Sequence, residues 1–511
     1  MKTLQLFIAM PLCAVILSIV SCSKDDKDIA ATNRETVAGT SKQDRTFIVI
    51  AQEGEKADKI AESLEGLKAV NYKVKGVVPE LGLIYVQTPD PTFPERARKI
   101  TGVQSVVIDI KTDWQVPVKI AKAPATKLIS KQAEASKLIP APTGDPYGVL
   151  QWDMQSVSAY GAWAKGYKGN GAKVAILDGG FLLTDGQTAS QVTDTLNLVP
   201  DEPFEPFPAL GQREYVSRGA FSAGIIAAAH DGREVVGIAP EAKLILIKIL
   251  SDNITTPQAP WSTLINGICY AVKKGANVIQ MNVAGKLPRK TYTDDNGTPS
   301  YPGDDYEVVY DRDVKDLVIA LNRATIYANL RGATLVAPAG DDRINFDTET
   351  DFAIYPAAAL GVLCIGSNGP NGWGINNDTS LYVPSYFTNY GKSYVRFGAP
   401  GGNYDPRTDF SAFAEVAGFA NYEYLFNYVY NTGFYVPSDE GNSPYSWWAY
   451  GSALAAAHAT GVIALIYGKH PWANSVIVDA ILRRSADDYG APGKDPYFGY
   501  GQINAEKALS Y

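Results

Sequence analysis

Histidine is scarce: the chain has 511 residues and three histidines, His230, His458 and His470. No two of them stand at ligand spacing, which argues against a histidine-based metal centre. Cysteine is nearly as rare, with four in the chain, so a disulfide-stapled scaffold is excluded. Cys13 and Cys22 lie near the N-terminus, whereas Cys269 and Cys364 sit inside apolar runs and are expected as buried free thiols, with a disulfide between them as the alternative. Positive charge is not in excess: 46 Lys and Arg stand against 54 Asp and Glu, for a formal net charge of -8. That balance argues against a nucleic-acid partner, which wants a basic surface. After residue 22 no apolar run is long enough to span a bilayer. What the chain does have is ordinary globular material, 46% hydrophobic and 20% charged, with 30 Tyr and 8 Trp.

The first residues read as a targeting segment rather than structure. Lys2 gives a positive start, Leu4 to Val20 is almost wholly apolar, and Ile19-Val20-Ser21-Cys22 follows. This resembles a bacterial lipobox, with residues 1–21 as the signal peptide and Cys22 as the lipidated residue. Ser23-Lys24-Asp25-Asp26-Lys27-Asp28 resembles a Bacteroidetes-type surface-lipoprotein export signal. Residues 22–44 are then a flexible tether, and the expected location is the outer membrane, exposed at the cell surface.

From Arg45 to Val116 the pattern alternates: a strand-like run at Thr46–Ile50, a helical stretch at Lys56–Leu67, two strand-like runs at Tyr72–Val77 and Leu83–Gln87, a helix near Phe93–Ile100, and a strand at Val103–Ile110. That order is β-α-β-β-α-β, a ferredoxin-like α+β unit. Residues 117–144, rich in Lys, Ala and Pro, read as a linker. From Asp145 short apolar runs such as Lys173–Asp178, Leu244–Leu250 and Thr334–Ala339 alternate with helical segments at Thr263–Lys274 and Val314–Leu330. The alternation predicts an α/β domain with a mainly parallel sheet covered on both faces over residues 145–511. Sites in such sheets lie at the C-terminal strand ends, where Asp178 falls. Residues 286–311 and 403–447 fit the alternation poorly and are expected as surface insertions. The aromatic stretch Tyr422 to Trp448 is expected either to pack on a small core of its own or to form a partner surface.

A set of short motifs now adds a resemblance. Val174-Ala175-Ile176-Leu177-Asp178-Gly179-Gly180, the run Ser217 to Ala228, Val236-Gly237-Ile238-Ala239-Pro240, Gly332 to Asp341, Tyr355-Pro356-Ala357, Phe387 to Gly391, and Gly451-Ser452-Ala453-Leu454-Ala455-Ala456-Ala457-His458 occur in this order. They resemble the landmarks of subtilisin-like serine proteases, the subtilases, over residues 145–511. Residues 45–116 resemble that family's propeptide. The resemblance implies a three-layer subtilisin-like fold and assigns positions. Asp178 stands at the triad aspartate, Phe221 at the histidine, Ala453 at the nucleophilic serine and Asp341 at the oxyanion-hole asparagine. Met281-Asn282-Val283-Ala284-Gly285 stands at the substrate groove, with Asn282 and Ala284 replacing a Ser and a Gly, so Asn282 to Gly285 are the candidate peptide-binding residues.

Amide hydrolysis needs a hydroxyl, a base to take its proton and donors aimed at the oxyanion. Alanine has no hydroxyl, phenylalanine no basic nitrogen, and an ionised aspartate only accepts hydrogen bonds. The expectation is a degenerate, catalytically inactive subtilase acting in peptide or protein binding, as an accessory of an outer-membrane complex, held to the membrane by lipid. No cofactor is expected; structural calcium, common in the family, is left open. Residues 45–116, uncut, are expected to cap the cleft. His458 is expected to be packed, and Ser452 to act as a helix-start hydroxyl. Two other readings stand beside this one: an active serine endopeptidase with displaced catalytic residues, and a decoy or inhibitor of other proteases.

Overall fold

The computed structural model describes residues 44–67, 72–115, 119–120, 129–130, 144–183, 186–205, 215–251, 257–294, 305–376, 378–407, 409–438 and 441–511. Cys22, the signal segment and the tether up to residue 43 lie outside them. Among the described residues no helix is long and apolar enough to cross a membrane.

The N-terminal unit begins with β1 (Arg45–Ala51), β2 (Lys73–Val78), β3 (Leu83–Thr88) and β4 (Val103–Ile108), with helices Ala57–Glu65 and Phe93–Ala97 between them. The four strands form one sheet in the order β2-β3-β1-β4, whose pairings are all antiparallel. The order of elements is the one the residue pattern predicts. Helix Ala57–Glu65 is amphipathic and buries Ala57, Ile60 and Leu64.

The larger sheet has eight strands. Strands Val362–Gly369, Thr334–Pro338, Val278–Met281, Lys173–Asp178, Lys243–Lys248 and Val192–Asn197 lie side by side and parallel. Phe397–Pro400 adds to Val362–Gly369 in parallel, and Val383–Pro384 pairs antiparallel at the edge. Alternate side chains of these strands enter two different cores, as strand geometry requires. Val174, Ile176, Leu244, Leu246, Val278 and Val336 face the core that holds helices Arg218–Ala227 and Ser452–Lys469. Ala175, Leu177, Ile245, Ile247, Ile279 and Leu335 face the other, with helices Trp261–Lys273 and Lys315–Leu330. That second core runs on into Phe47, Ile48, Ile84 and Val106 of the N-terminal unit. The two units therefore share one apolar interior.

Two expectations are corrected. Residues 403–447 are not simply a surface insertion, nor do their aromatics pack on a separate core. Leu425, Phe426, Tyr428, Tyr430, Trp447 and Trp448 are all buried in the main core, and Trp448 meets Tyr430 edge-on at 4.7 Å. Residues 286–311, where described, are structural as well: Tyr306 lies 6.4 Å from Phe47, and Arg45 pairs with Asp294 at 3.2 Å, so the segment helps hold the N-terminal unit. The linker also contains structure. Lys119–Ile120 and Ile129–Ser130 are short strands, the second paired with Phe419–Ala420. Their sequence shows no period because a two-residue strand held by its backbone does not need one.

Candidate active-site cleft and its occupant

Asp178 ends the Lys173–Asp178 strand and is fully buried. Its Oδ1 accepts the Gly179 N–H at 2.6 Å, and its Oδ2 accepts the side-chain amide of Asn282. The same amide nitrogen donates to Ser222 Oγ at 2.9 Å. Gln280 Nε2 continues the network, donating to Asn282 Oδ1 at 3.3 Å and to the Ala453 carbonyl at 3.4 Å. Asn282 is thus a partner of the aspartate and not a lining residue of the open groove, which corrects its expected role. Sequence reasoning missed this because it places Asn282 by alignment, whereas the contact is made by side chains 104 residues apart.

Phe221 lies on helix Arg218–Ala227 and is wholly buried. The Val429–Ser438 strand presses on this helix. The Ser217 N–H donates to the Gly433 carbonyl at 2.9 Å, and a Cβ on Gly433 would stand 2.8 Å from the Phe221 nitrogen. Gly433 has φ 123°, so a side chain there is both strained and excluded by contact. The ring of Phe221 belongs to the apolar core. It offers neither base nor acid.

Ala453 stands in the first turn of helix Ser452–Lys469 and is also fully buried. Its neighbour Ser452 is not a cap of its own helix, as expected from sequence; its Oγ instead accepts the Gly340 N–H at 3.0 Å. The Ser452 N–H donates to Asp341 Oδ1 at 2.9 Å. A carboxylate at a helix N-terminus is stabilised by the unpaired amides and the helix dipole. Asp341 therefore neutralises the positive end of the helix, where an oxyanion hole would instead aim donors at substrate. His458, deeper in the same helix, is packed as expected: Nδ1 faces the Leu454 carbonyl at 2.8 Å and Nε2 faces Asp153 at 2.9 Å. His230 contacts Lys168 at 2.8 Å and His470 the Tyr511 carbonyl at 3.2 Å. Cys269 and Cys364 are free thiols, and burial pushes Cys269 up to about 12. Among the described residues no group of three or more His, Cys, Asp or Glu could hold a metal ion.

The groove beside these residues is filled by the chain itself. β5 (Lys111–Gln115) leaves the N-terminal unit and inserts between Gln258–Pro260 and Ala284–Pro288, antiparallel to both. Gln115 is opposite Ala284 and Trp114 opposite Gly285. Trp114 is 2% exposed, donates from Nε1 to the Ala259 carbonyl at 2.8 Å and packs 5.6 Å from the ring of Trp261. Gly285 makes this fit: a Cβ there would lie 2.8 Å from the indole. Thr112 accepts the Trp261 Nε1–H at 2.7 Å, while Lys111, Asp113 and Gln115 point to solvent. Further along, Lys119 pairs with Tyr450 and Ile120 with Ala449, just ahead of Ala453 in the chain. Asp109 fastens the entry, accepting Ser262 N–H at 3.0 Å and Ser262 Oγ–H at 2.5 Å. Burial pushes Asp109 up to about 6, opposed by its bonds to Ser262.

The comparisons agree with this architecture. A model of the subtilase family matches residues 169–501. Among curated proteins, the major intracellular serine protease of Bacillus subtilis (strain 168) is 29% identical over 219 residues, 42% of this chain and 56% of that protein. The minor extracellular protease Epr of the same strain is 25% identical over 69% of this chain and 41% of that protein, so the chain spans about half the length of these relatives. Thermitase of Thermoactinomyces vulgaris is 24% identical over 72% of this chain and 99% of its own. Fervidolysin from Fervidobacterium pennivorans superposes with a TM-score of 0.62 at 18% identity, over 92% of this chain and 61% of its own. The epidermin leader peptide processing serine protease of Staphylococcus aureus gives 0.63 at 17%, over 92% of this chain and 98% of its own. At such identities the structures speak for the fold alone. With the family model covering well over half of the chain, this protein belongs to the subtilase family.

Proposed function

We propose that this chain is a catalytically inactive subtilase that works by binding, with its old substrate groove kept closed by its own strand Lys111–Gln115. The observation that carries the reading is the state of the cleft residues. Ala453 has no nucleophilic atom, Phe221 is locked in an apolar core, and Asp341 accepts a hydrogen bond where a donor is needed. Loss of the serine or the histidine alone lowers the turnover of subtilisin by about a million-fold. Loss of an oxyanion donor lowers it by about a hundred- to a thousand-fold.

The filled groove shapes what binding can mean. A foreign extended peptide must displace β5, which is anchored by two backbone ladders and a buried tryptophan. The partner, a protein or peptide, therefore meets the outer surfaces of the closed unit. Lipidation at Cys22 would hold that unit on the cell surface, and an outer-membrane assembly is the setting we propose for it. The names of the relatives, all serine proteases or proteases, favour one other reading, an active endopeptidase with displaced catalytic residues. A fluorophosphonate probe on purified residues 23–511 tests both. We expect no covalent label; stoichiometric labelling of a serine would establish the active reading.

A further inference from the structure

A cavity of about 300 Å³ opens beyond the cleft, lined among others by Arg343, Tyr386, Asn403, Tyr404, Asp405 and Arg407. Its floor is rigid. Ser385, Thr388 and Asn403 are buried, Ser385 Oγ donates to the Gly402 carbonyl at 2.6 Å, and Asn403 Oδ1 accepts the Tyr386 N–H at 2.9 Å. Its rim carries two arginines in different states. Arg407 is compensated: its Nε donates to Asp405 at 2.8 Å, and it holds that carboxyl down at about 2. Arg343 has no carboxylate within ion-pair distance among the described residues. Its guanidinium lies 4.0 Å above the ring of Tyr386. Its backbone is in the left-handed region, φ 58°, held there by its N–H on the Phe387 carbonyl at 2.8 Å. A non-glycine residue in that region costs energy that its surroundings must supply.

We infer that this cavity binds a carboxylate presented by an acidic side chain of a partner peptide, with Arg343 as the anchor. The contact with Tyr386 holds the guanidinium over the ring and leaves its N–H donors for a bidentate acceptor. The charge count selects the ligand. With Arg407 and Asp405 paired, the cavity holds one uncompensated positive charge, which matches a carboxylate and leaves a phosphate dianion half-neutralised beside Asp405. The position suits a peptide. The ring of Tyr404 is 5.4 Å from that of Tyr450, the residue paired with Lys119, so the cavity adjoins the exit of the occupied groove. The chain's own strand does not supply the ligand, because no Asp or Glu occurs between Asp113 and Glu134. The inference holds whether or not the chain hydrolyses peptides.

The test uses residues 23–511 and two hexapeptides of Gly and Ser with acetylated N-termini and amidated C-termini, one carrying a single Glu and the other Gln at the same place. Saturation-transfer NMR should show the Glu peptide binding about ten-fold more tightly than the Gln peptide, the scale of one charged hydrogen-bond pair. R343M keeps the side-chain stem and should abolish that preference, with an unchanged melting temperature showing that the fold is intact. Equal binding of the two peptides, a preference that survives R343M, or inorganic phosphate displacing the Glu peptide at lower concentration than acetate would each overturn the assignment.

Discussion

Replacing Trp114 with alanine should unlock the groove without unfolding the body of the protein. The indole is 2% exposed, sits against Trp261 and Gly285, and donates to the Ala259 carbonyl. Removing a buried tryptophan costs about 3–5 kcal/mol, and leaving a buried carbonyl without its donor adds about 1 kcal/mol or more. Because the lost contacts all join β5 to the groove walls, the loss falls on that docking. Each 1.4 kcal/mol is about a ten-fold change in population, so local opening should rise about a thousand- to ten-thousand-fold. Hydrogen exchange reads this directly. Amides in residues 257–261 and 284–288 should lose protection by that factor, while the central strand Lys173–Asp178 keeps its own. Two results would refute the reasoning. Unchanged exchange in the groove would mean that Trp114 does not anchor the strand, and an equal loss in the central strand would mean that docking and folding are inseparable.

Further predictions follow from the same geometry. Restoring the family residues in one variant, F221H with A453S, D341N and N282S, should make the chain cut itself between Gln115 and Lys119, because Gln115 pairs with Ala284 in the groove and Lys119 with Tyr450, just ahead of residue 453; mass spectrometry locates the cut, and a cut elsewhere would contradict the path of the strand. A453S alone should stay uncut, since the base is still absent. Docking of the N-terminal unit should strengthen in acid: Asp109 titrates near 6 when buried against an ordinary 3.8, so its penalty, about 3 kcal/mol, is full above pH 6 and vanishes as pH falls to 3.8. D109N should flatten about half of that dependence in melting curves taken from pH 4 to pH 8. Asp316, raised by burial to the same value, should account for about the other half.

The fold was legible because its elements carry strong periods. Lys173–Asp178 sends Val174 and Ile176 to one core and Ala175 and Leu177 to the other, and a run apolar on both faces reads as an interior parallel strand. The neighbourhood of Asp178, Phe221 and Ala453 was legible from motif order, since each motif sets its residue at a strand end or in a first helical turn. What sequence left hidden depends on long-range partners. The hydrogen bond from Asn282 to Asp178 joins a strand end to a loop. The capture of Asp341 by the Ser452 N–H turns an apparent oxyanion position into a helix cap. The strand at Lys119–Ile120 shows no alternation, because it is held by backbone pairing to Tyr450 and Ala449. Tyr422 to Trp448 looked like an exposed aromatic surface or a separate small core. Composition cannot tell either of those from residues that join an existing core, as Tyr430 and Trp448 do.

The claim that this subtilase does not hydrolyse peptide bonds is tested most directly by the intact mass of purified residues 23–511 after long incubation, with and without calcium. The account predicts one uncut chain under both conditions, with β5 still joined to the body through residues 116–144. Cleavage within that stretch, abolished by a serine-protease inhibitor, would contradict it and show that a nucleophile other than residue 453 is at work.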